Sequence, residues 1–510
     1  MTKGRAVAAA AVLVVVAALA VVFLRPGAAS PPVEQAAGLV PADALVYVHL
    51  STDAGRENDD ELIDRLERFP AYGKVRDLVK QAVSRQGGLD LRRDVRPWLG
   101  DEAAFALLPS SGTVAPSLLL LSVADEAKAE TVVSRAAGSE SGADHRGVSV
   151  RRVGGVAAAF TGGFLAIGQE PAVRAAIDRS EGAGANLAES ASYLAASASR
   201  PPQRVIEAYL SPEGVRRVLR PQSGLLGALG GAIDHPGLRG ASLSASPADG
   251  GVDVLVRAAR TGSDSKPFRA ELLDTVPESA FGYLGLGGLA AAGDLLPRAG
   301  ADLLLERARE ALPADAGVDL DRDVLAPLRG EVAVSVAPSL PFPEVTLVAR
   351  TADEQRTREA LGRLQGVLAD ALAPAGEAGG SVPTFEEREL DGVTASALSL
   401  GPAFELIYAV FDGLLVVSTS GSGIERVRER GDSLRDTKAF KRAVGDVPER
   451  SEALVFLDLR QLLTLGDLAG LTNTGALQTA RDDLRRIRTV GAAARREGND
   501  TIAEFFLEVP

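Results

Sequence analysis

The feature that most constrains the fold of this 510-residue chain is a block of sequence that occurs twice. Residues 88–102 (GLDLRRDVRPWLGDE) match residues 317–331 (GVDLDRDVLAPLRGE). The positions retained in both blocks include Asp90/Asp319, Leu91/Leu320, Arg93/Arg322, Asp94/Asp323, Val95/Val324, Leu99/Leu328 and Glu102/Glu331. Shorter matches occur in the same order on both sides of these blocks. The collinear series predicts an internal duplication, with a first α+β repeat over about residues 39–260 and a second over about 270–510.

Each copy predicts the same order of short strands and helices. The apolar runs are separated by Gly-Gly, Gly-Pro and Asp-Gly pairs, which are typical of hairpins. Runs of hairpin strands between helices favour a mostly antiparallel sheet with helices on one face over a doubly wound parallel sheet. We therefore expect the α+β fold class, with an N-terminal transmembrane helix followed by two duplicated, mostly antiparallel sheet-plus-helix domains.

The N-terminal segment predicts a membrane anchor. Residues 6–24 form an unbroken apolar run of 19 residues, which at about 1.5 Å per residue matches a hydrocarbon core of about 30 Å. Lys3 and Arg5 lie in residues 1–5, so this end is expected to stay in the cytoplasm. Residues 25–38 are expected to form an extended linker, because their paired prolines and small residues resist helix formation.

A cleaved signal peptide is the alternative interpretation of this segment. Residues 27–30 (GAAS) offer a small-residue cleavage site, although the apolar run is longer than the ~7–15 residues of a typical signal peptide. Both interpretations place the bulk of the chain outside the cytoplasm.

Composition excludes several function classes. The 68 acidic residues outnumber the 55 Lys and Arg, for a net charge of −13, whereas nucleic-acid binding requires clustered basic residues. We therefore expect no nucleic-acid partner. The chain has no cysteine, which excludes disulfides, thiolate nucleophiles, Cys-ligated zinc, iron–sulfur clusters and a lipidated cysteine.

Histidine and glycine motifs give no firm site. His49, His145 and His235 are the only histidines, and none has the i, i+4 spacing of a helical zinc site. Residues 285–290 (GLGGLA) match the relaxed dinucleotide-binding pattern. However, the corresponding residues 49–54 (HLSTDA) of the first copy contain no glycine. The acidic residue that should follow is also missing.

Two further motifs are better explained by local structure. Residues 319–323 (DLDRD) resemble the start of a calcium loop, but Val324 stands where the turn needs glycine and Gly330 where a bidentate glutamate is needed. A capped turn is favoured there. Residues 418–423 (STSGSG) join a strand to a helix and offer backbone N–H groups to an anion. They lack the lysine of a P-loop, so a helix N-cap is favoured.

The duplication singles out Asp90, Asp94 and Glu102, with their mates, among the acidic residues. Their retention in both copies fits a shared structural role better than catalysis. We therefore predict no catalytic, cofactor-binding or metal-ligating residues and no cofactor.

Three segments also resemble a known family. Residues 39–48 (LVPADALVYV), the block 88–102 and residues 439–448 (AFKRAVGDVP) are similar to the domain of unknown function 3352 family. The resemblance covers nearly the whole chain. It implies a bacterial protein held in the cell membrane by one N-terminal helix, with a long extracytoplasmic region. It implies no catalytic residues.

The functional expectation is a non-enzymatic binding or structural module of the cell envelope. Its partners would be the membrane, through the N-terminal helix, and an envelope protein or a small apolar ligand. One alternative is a carrier of an apolar ligand such as lipid, suggested by the small-residue strands at 148–167 and 404–418. Another is a carboxylate-based envelope hydrolase, which predicts a pocket with two converging acids in one copy.

Overall fold

The computed structural model describes residues 34–52, 94–110, 115–137, 143–153, 156–198, 200–221, 230–231, 233–262, 266–288, 330–372, 384–401, 404–468 and 485–509. The predicted transmembrane helix at 6–24, most of the linker, and the acidic residues at 90 and 319–323 lie outside the described residues. Within the described part of the chain, no helix is both long enough and apolar enough to cross a membrane.

The strands form one antiparallel sheet of 20 strands. The prediction of two duplicated sheet-plus-helix domains is therefore wrong. The physical reason is that a repeated sequence predicts repeated local elements but does not determine where a sheet ends. An antiparallel sheet with open edges leaves backbone N–H and C=O groups unpaired, and these edges are extended by further strands.

The chain divides into two compact units. The first runs to Ser263 and also includes Asn499–Ile502 and Val509–Pro510, and the second comprises Asp264–Gly498 and Ala503–Glu508. The domain boundaries predicted from the sequence, at about 260 and 270, remain predictions.

Ten of the described strands lie wholly in the first unit, and their neighbours are antiparallel. They are β1 (Val46–Ser51), β2 (Leu99–Leu107), β3 (Ser117–Val123), β4 (Ala143–His145), β5 (Val148–Val153), β6 (Val156–Thr161), β7 (Phe164–Gly168), β8 (Ile206–Leu210), β9 (Leu238–Ala248) and β10 (Gly251–Arg260). Hydrogen bonding orders them β4-β5-β6-β7-β3-β2-β1-β8-β9-β10. The α-helices are α1 (Glu126–Ala137), α2 (Glu170–Ser180), α3 (Ala191–Ala196) and α4 (Pro212–Gly214), and a 3-10 helix spans Ala36–Leu39.

The remaining strands are β11 (Gly282–Leu286), β12 (Val332–Ala337), β13 (Glu344–Arg350), β14 (Glu386–Leu390), β15 (Val393–Ser399), β16 (Glu405–Phe411), β17 (Leu414–Ser418), β18 (Ser451–Asp458), β19 (Thr489–Glu497) and β20 (Asp500–Glu508). Hydrogen bonding orders β11 to β19 as β14-β15-β16-β17-β13-β12-β11-β18-β19. The α-helices are α5 (Glu354–Leu372), α6 (Gly421–Glu429), α7 (Lys438–Val444) and α8 (Leu459–Leu468), with 3-10 helices at Leu272–Thr275 and Leu434–Asp436.

Helices cover both faces of the sheet, not one face as the strand pattern suggested. In β3, Leu118 and Leu120 belong to the core cluster that includes α2 and α3. Leu121, on the opposite face, packs with α1 and the buried Trp98. Because successive side chains of a strand point to opposite faces, a run of leucines fits a strand that is buried on both sides.

Strand β16 of the second unit is also buried on both faces. Ile407 and Ala409 join the core cluster that contains residues of α6 and α7. Tyr408 and Val410 point to the other face, where they pack with Leu361 of α5. This second face carries a cleft, described below.

Candidate functional site

A cleft of about 620 Å³ lies between α5 and the β14–β16 edge of the second unit. Its lining is mostly polar or charged and comprises Arg358, Gly362, Gln365, Glu387, Gly392, Val393, Thr394, Ser396, Tyr408, Ala409, Val410, Phe411, Asp412 and Arg428. The volume falls within the ~300–1,000 Å³ that is typical of small-molecule sites. The cleft is therefore large enough to enclose a small ligand.

Gln365 and Tyr408 form the polar centre of the cleft. The Gln365 side-chain amide donates to the Tyr408 hydroxyl at 2.8 Å and to the Ser396 hydroxyl at 3.2 Å. Tyr408 is 8% exposed, and its ring meets Phe385 edge-on with the ring centroids 5.7 Å apart. The buried ring fixes the hydroxyl in place, so the cleft presents a rigid set of hydrogen-bonding groups.

Two arginines border the cleft, and each is already paired. Arg358 donates to the Glu354 carboxylate at 2.5 Å and to the backbone carbonyl of Val410 at 2.8 Å. Arg428 donates to Asp412 at 2.7 Å, and its guanidinium lies 6.0 Å from the centre of the Phe411 ring. Because the positive charges are matched by carboxylates, the cleft favours polar ligands without a large net charge.

Sequence reasoning did not select Gln365 or Tyr408. A signal was present on the helix: Arg358, Gly362 and Gln365 are spaced i, i+4, i+7, which places them on one face of α5. The partners on the strands lie far away in sequence, and no local pattern indicates that β15 and β16 face this helix.

The first unit contains a buried ionic cluster, formed by Glu34, Arg200, Arg204 and Glu207. Glu207 is 0% exposed and Arg204 is 6% exposed. Arg200 donates to both oxygens of Glu207 at 2.7 Å, and Arg204 Nε donates to Glu207 at 2.9 Å. Both arginines also pair with Glu34. Two carboxylates and two guanidiniums thus balance each other, which is the arrangement that buried charges require.

The pKa values in this cluster are shifted in opposite directions. Burial raises the pKa of Glu207 above its usual value, and the charge of Arg200 offsets part of that rise. Burial also acts to raise the pKa of Glu34, but the charges of Arg200 and Arg204 outweigh it and hold the pKa below its usual value. The closed network of partners favours a structural role over a catalytic one.

Three tyrosines pack beside the ionic cluster. Tyr193 contacts Tyr47 and Tyr209 edge-on, with ring centroids 5.9 and 5.3 Å apart. The guanidinium of Arg200 lies 5.6 Å from the centre of the Tyr193 ring. Burial raises the pKa of Tyr209 to about 12 and that of Tyr47 well above its usual value. These hydroxyls are therefore un-ionised at neutral pH.

Glu102 and Glu331, which the repeated block singled out, each hold the start of a short 3-10 helix. Glu102 is 2% exposed and accepts the backbone N–H groups of Gln35 and Ala36, both at 2.8 Å. Glu331 is 4% exposed and accepts those of Glu271 and Leu272 at 2.9 Å. A carboxylate at this position satisfies donors that a helix start leaves unpaired.

The histidines lie apart from one another. His49 is 1% exposed and its Nε2 lies 3.4 Å from Glu102. The ring of His145 lies 2.9 Å from Asp178, and the buried Nδ1 of His235 has no hydrogen-bond partner. In the part of the chain that the structure describes, no group of three or more His, Asp or Glu residues is arranged to hold a metal ion.

The glycines of the segment 285–290 are explained by packing where the structure describes them. A Cβ atom on Gly285 would lie 2.3 Å from the Tyr283 hydroxyl, and one on Gly287 would lie 2.0 Å from the backbone carbonyl of Lys266. Both positions therefore require the absence of a side chain. Asp94, from the repeated block, is 7% exposed, and its backbone carbonyl accepts the indole N–H of Trp98 at 2.6 Å.

The segment 418–423 leads into α6, as expected for a helix start, and carboxylates of the same chain occupy the position that an anion would take. Glu344 is 3% exposed and accepts the hydroxyl of Ser422 at 2.7 Å. Glu405 accepts the backbone N–H of Gly421 at 3.0 Å. The helix N-terminus is thus already satisfied internally.

Comparison with known sequences decides the family. Residues 6–508 match the family described as "Protein of unknown function (DUF3352)". The chain belongs to this family. The resemblance inferred from the repeated block and the two flanking segments is thereby confirmed. No curated protein matches the sequence significantly.

Two solved structures resemble this DUF3352 protein weakly. Crystal form I of TP0453 is 10% identical, covering 46% of this chain and 82% of that chain with a TM-score of 0.28. Crystal form III of TP0453 is 13% identical, covering 44% and 80% with a TM-score of 0.27. TM-scores at this level do not indicate a shared fold.

Proposed function

We propose that this protein is a membrane-tethered module of the bacterial cell envelope that binds a small, neutral, hydroxyl-rich ligand, such as a short saccharide, without turning it over. The observation that carries the proposal is the cleft beneath α5, where Gln365, Ser396 and Tyr408 present hydrogen-bonding groups from a rigid floor. Ligand sites combine a few fixed polar groups of this kind with a concave surface. The apolar run at 6–24 motivates the tether.

The charge balance of the cleft supports a neutral ligand. Its lining includes Arg358 and Arg428 as cations and Glu387 and Asp412 as anions. A strongly charged ligand would have to compete with the Arg428–Asp412 pair. A purely apolar ligand would strip water from four charged side chains without replacing their hydrogen bonds, which is costly. The polar lining therefore favours a polar ligand over a lipid at this cleft.

A carboxylate-based hydrolase remains the second candidate, because Glu387 and Asp412 both line the cleft. Asp412 is paired with Arg428 at 2.7 Å, so one of the two carboxylates is already engaged within the chain. Non-covalent binding is therefore the preferred proposal, and turnover is an outcome of the test.

Native mass spectrometry of the full-length protein released from lipid nanodiscs would test the proposal. The protein would be incubated with maltooligosaccharides and N-acetylglucosamine oligomers. We expect one saccharide to be retained, and Tyr408→Phe and Gln365→Ala to weaken retention about tenfold, equivalent to about 1.4 kcal/mol. Tyr283→Phe removes a buried hydroxyl away from the cleft and serves as the matched control.

Three results would decide against the proposal or redirect it. Failure to retain any saccharide contradicts it, as does retention that Tyr408→Phe and Gln365→Ala leave unchanged. Release of a saccharide fragment that has gained one water would indicate hydrolysis. If Glu387→Gln no longer releases this fragment, the reaction takes place in the cleft.

A further inference from the structure

The loop between β12 and β13 exposes apolar side chains. Pairing of Ala337 with Glu344 closes the hairpin, so residues 338–343 (PSLPFP) form the loop. Leu340 is 92% exposed and Phe342 is 52% exposed. Side chains of this kind are usually buried, and their exposure together on one protruding loop marks an interaction surface.

The tip is uncharged over a long stretch of chain. Residues 332–343 (VAVSVAPSLPFP) contain no Asp, Glu, Lys or Arg. The next residue in the sequence, Glu344, is charged, but it is 3% exposed and paired with Arg426 at 2.9 Å. Moving this tip into an apolar medium would therefore carry no unpaired charge with it.

A second exposed apolar side chain lies at the same end of the sheet. Thr346 of β13 and Ile407 of β16 are both in register with Ser418 of β17. Phe342 and Phe404 therefore lie just before β13 and β16, at the same end of these two strands. The strands are separated by β17, so they lie about 10 Å apart. Phe404 is 43% exposed, so the apolar character of this end is not limited to one loop.

From these observations we infer that the loop 338–343 inserts its tip into the interfacial region of a lipid bilayer. The loop exposes Leu340 and Phe342 and has no charged residue over 338–343, so it can enter acyl chains without the cost of burying a charge. Leu340 and Phe342 alone give only a weak membrane attachment, which becomes effective when a second signal already holds the protein at the surface. The inference rests on the membrane tether in the proposed function and is independent of the ligand in the cleft.

Tryptophan quenching tests the contact on the full-length protein in phosphatidylcholine vesicles. The chain has one tryptophan, Trp98, which is 2% exposed and gives a constant background. Phe342→Trp adds a reporter at the tip, and brominated phosphatidylcholine quenches only indoles that reach the acyl region. We expect the added fluorescence of Phe342→Trp to fall at least threefold.

Ala352→Trp provides the matched control. Phe342 lies two residues before β13 and the exposed Ala352 two residues after it, so the two reporters lie at opposite ends of a strand about 24 Å long. We expect little quenching of the added fluorescence in Ala352→Trp. Equal quenching of both reporters, or none at Phe342→Trp, would overturn the inference.

A second variant separates insertion from other contacts. Leu340→Glu in the Phe342→Trp background should restore at least half of the quenched fluorescence, because a carboxylate resists entry into the acyl region. Unchanged quenching would contradict insertion of the tip. If the fluorescence of the tip depends on the protein-to-lipid ratio but is not quenched by bromine, the loop contacts a second copy of the chain and not the lipid. Flotation of the wild-type protein with vesicles shows separately whether the N-terminal tether holds the protein on the membrane.

Discussion

The carboxylate of Glu331 accepts the backbone N–H of Leu272 through both of its oxygens, each at 2.9 Å. Glu331 is 4% exposed, and burial raises its pKa to about 7 from an ordinary value of 4.5. Between these two pH values the folded chain binds more protons at this site than the unfolded chain does. The stabilisation from this site is therefore complete below about pH 4.5 and is lost as the pH rises through about 7.

We predict that Glu331→Gln flattens the pH dependence of stability. In the wild type, ionisation of Glu331 should lower the free energy of unfolding by up to about 3 kcal/mol between pH 5 and pH 8. The glutamine variant cannot ionise, so its decline over this range should be smaller by that amount. Urea denaturation followed by circular dichroism at several pH values measures the difference.

Glu449→Gln supplies the control for that experiment. Glu449 is 81% exposed and paired with an exposed arginine, so its removal should leave the pH profile of the wild type unchanged. A Glu331→Gln profile parallel to that of the wild type would contradict the assignment.

The buried cluster of the first unit predicts a large cost for removing Glu207. Glu207→Ala would leave Arg200 and Arg204 with only one carboxylate of the cluster, Glu34, in a largely buried site. We expect a loss of about 3–5 kcal/mol in the free energy of unfolding. Urea denaturation followed by Trp98 fluorescence reports this unit directly.

An exposed ion pair in the same unit is the comparison. Glu213→Ala removes the partner of Arg217, where the two side chains are 48% and 55% exposed. We expect a loss of at most about 1 kcal/mol. Similar losses for Glu207→Ala and Glu213→Ala would show that the burial of the cluster has no energetic consequence.

Strand positions could be predicted because their signals are local. The sequence predicts strands within 404–418, and β16 (Glu405–Phe411) and β17 (Leu414–Ser418) lie there, because the Gly-Pro and Asp-Gly pairs mark where the apolar runs end. The joining of all strands into one sheet could not be predicted in this way. Pairing at sheet edges depends on which strands meet in the folded chain, which a repeated sequence does not specify.

The cleft could not be predicted because its residues meet only through the tertiary fold. Gln365 and Tyr408 are 43 residues apart in sequence. A glutamine and a tyrosine 43 residues apart form no recognisable motif. They meet only because α5 packs against β16, and this contact is not encoded by neighbouring residues. By contrast, the structural role expected of Glu102 is consistent with its two backbone hydrogen bonds, because a buried carboxylate must find such donors.

The dinucleotide-like glycines allow a third prediction. Gly285→Ala should cost about 1–3 kcal/mol, because its Cβ would lie 2.3 Å from the hydroxyl of the buried Tyr283. Tyr283→Phe removes a hydroxyl that has no hydrogen-bond partner, so it should be neutral or slightly stabilising. In the double variant the cost of the alanine should shrink. A double-mutant cycle measured by urea denaturation gives the coupling.

The coupling also distinguishes packing from nucleotide binding at Gly285. If the glycine serves packing, Tyr283→Phe rescues Gly285→Ala in the absence of any ligand. Strictly additive losses would contradict the packing explanation.

The start of α6 gives the last prediction. Glu344 accepts the Ser422 hydroxyl at 2.7 Å and pairs with Arg426 at 2.9 Å, in the place that an external anion would occupy at a helix N-terminus. Glu344→Ala should cost about 2–4 kcal/mol by leaving these donors without an acceptor. It should also open the site, so that sulfate raises the melting temperature of the variant more than that of the wild type.

Asp436→Ala, which removes the 75% exposed partner of Lys441, should respond to sulfate as the wild type does. If sulfate stabilises the wild type as strongly as Glu344→Ala, then Glu344 does not fill an anion site.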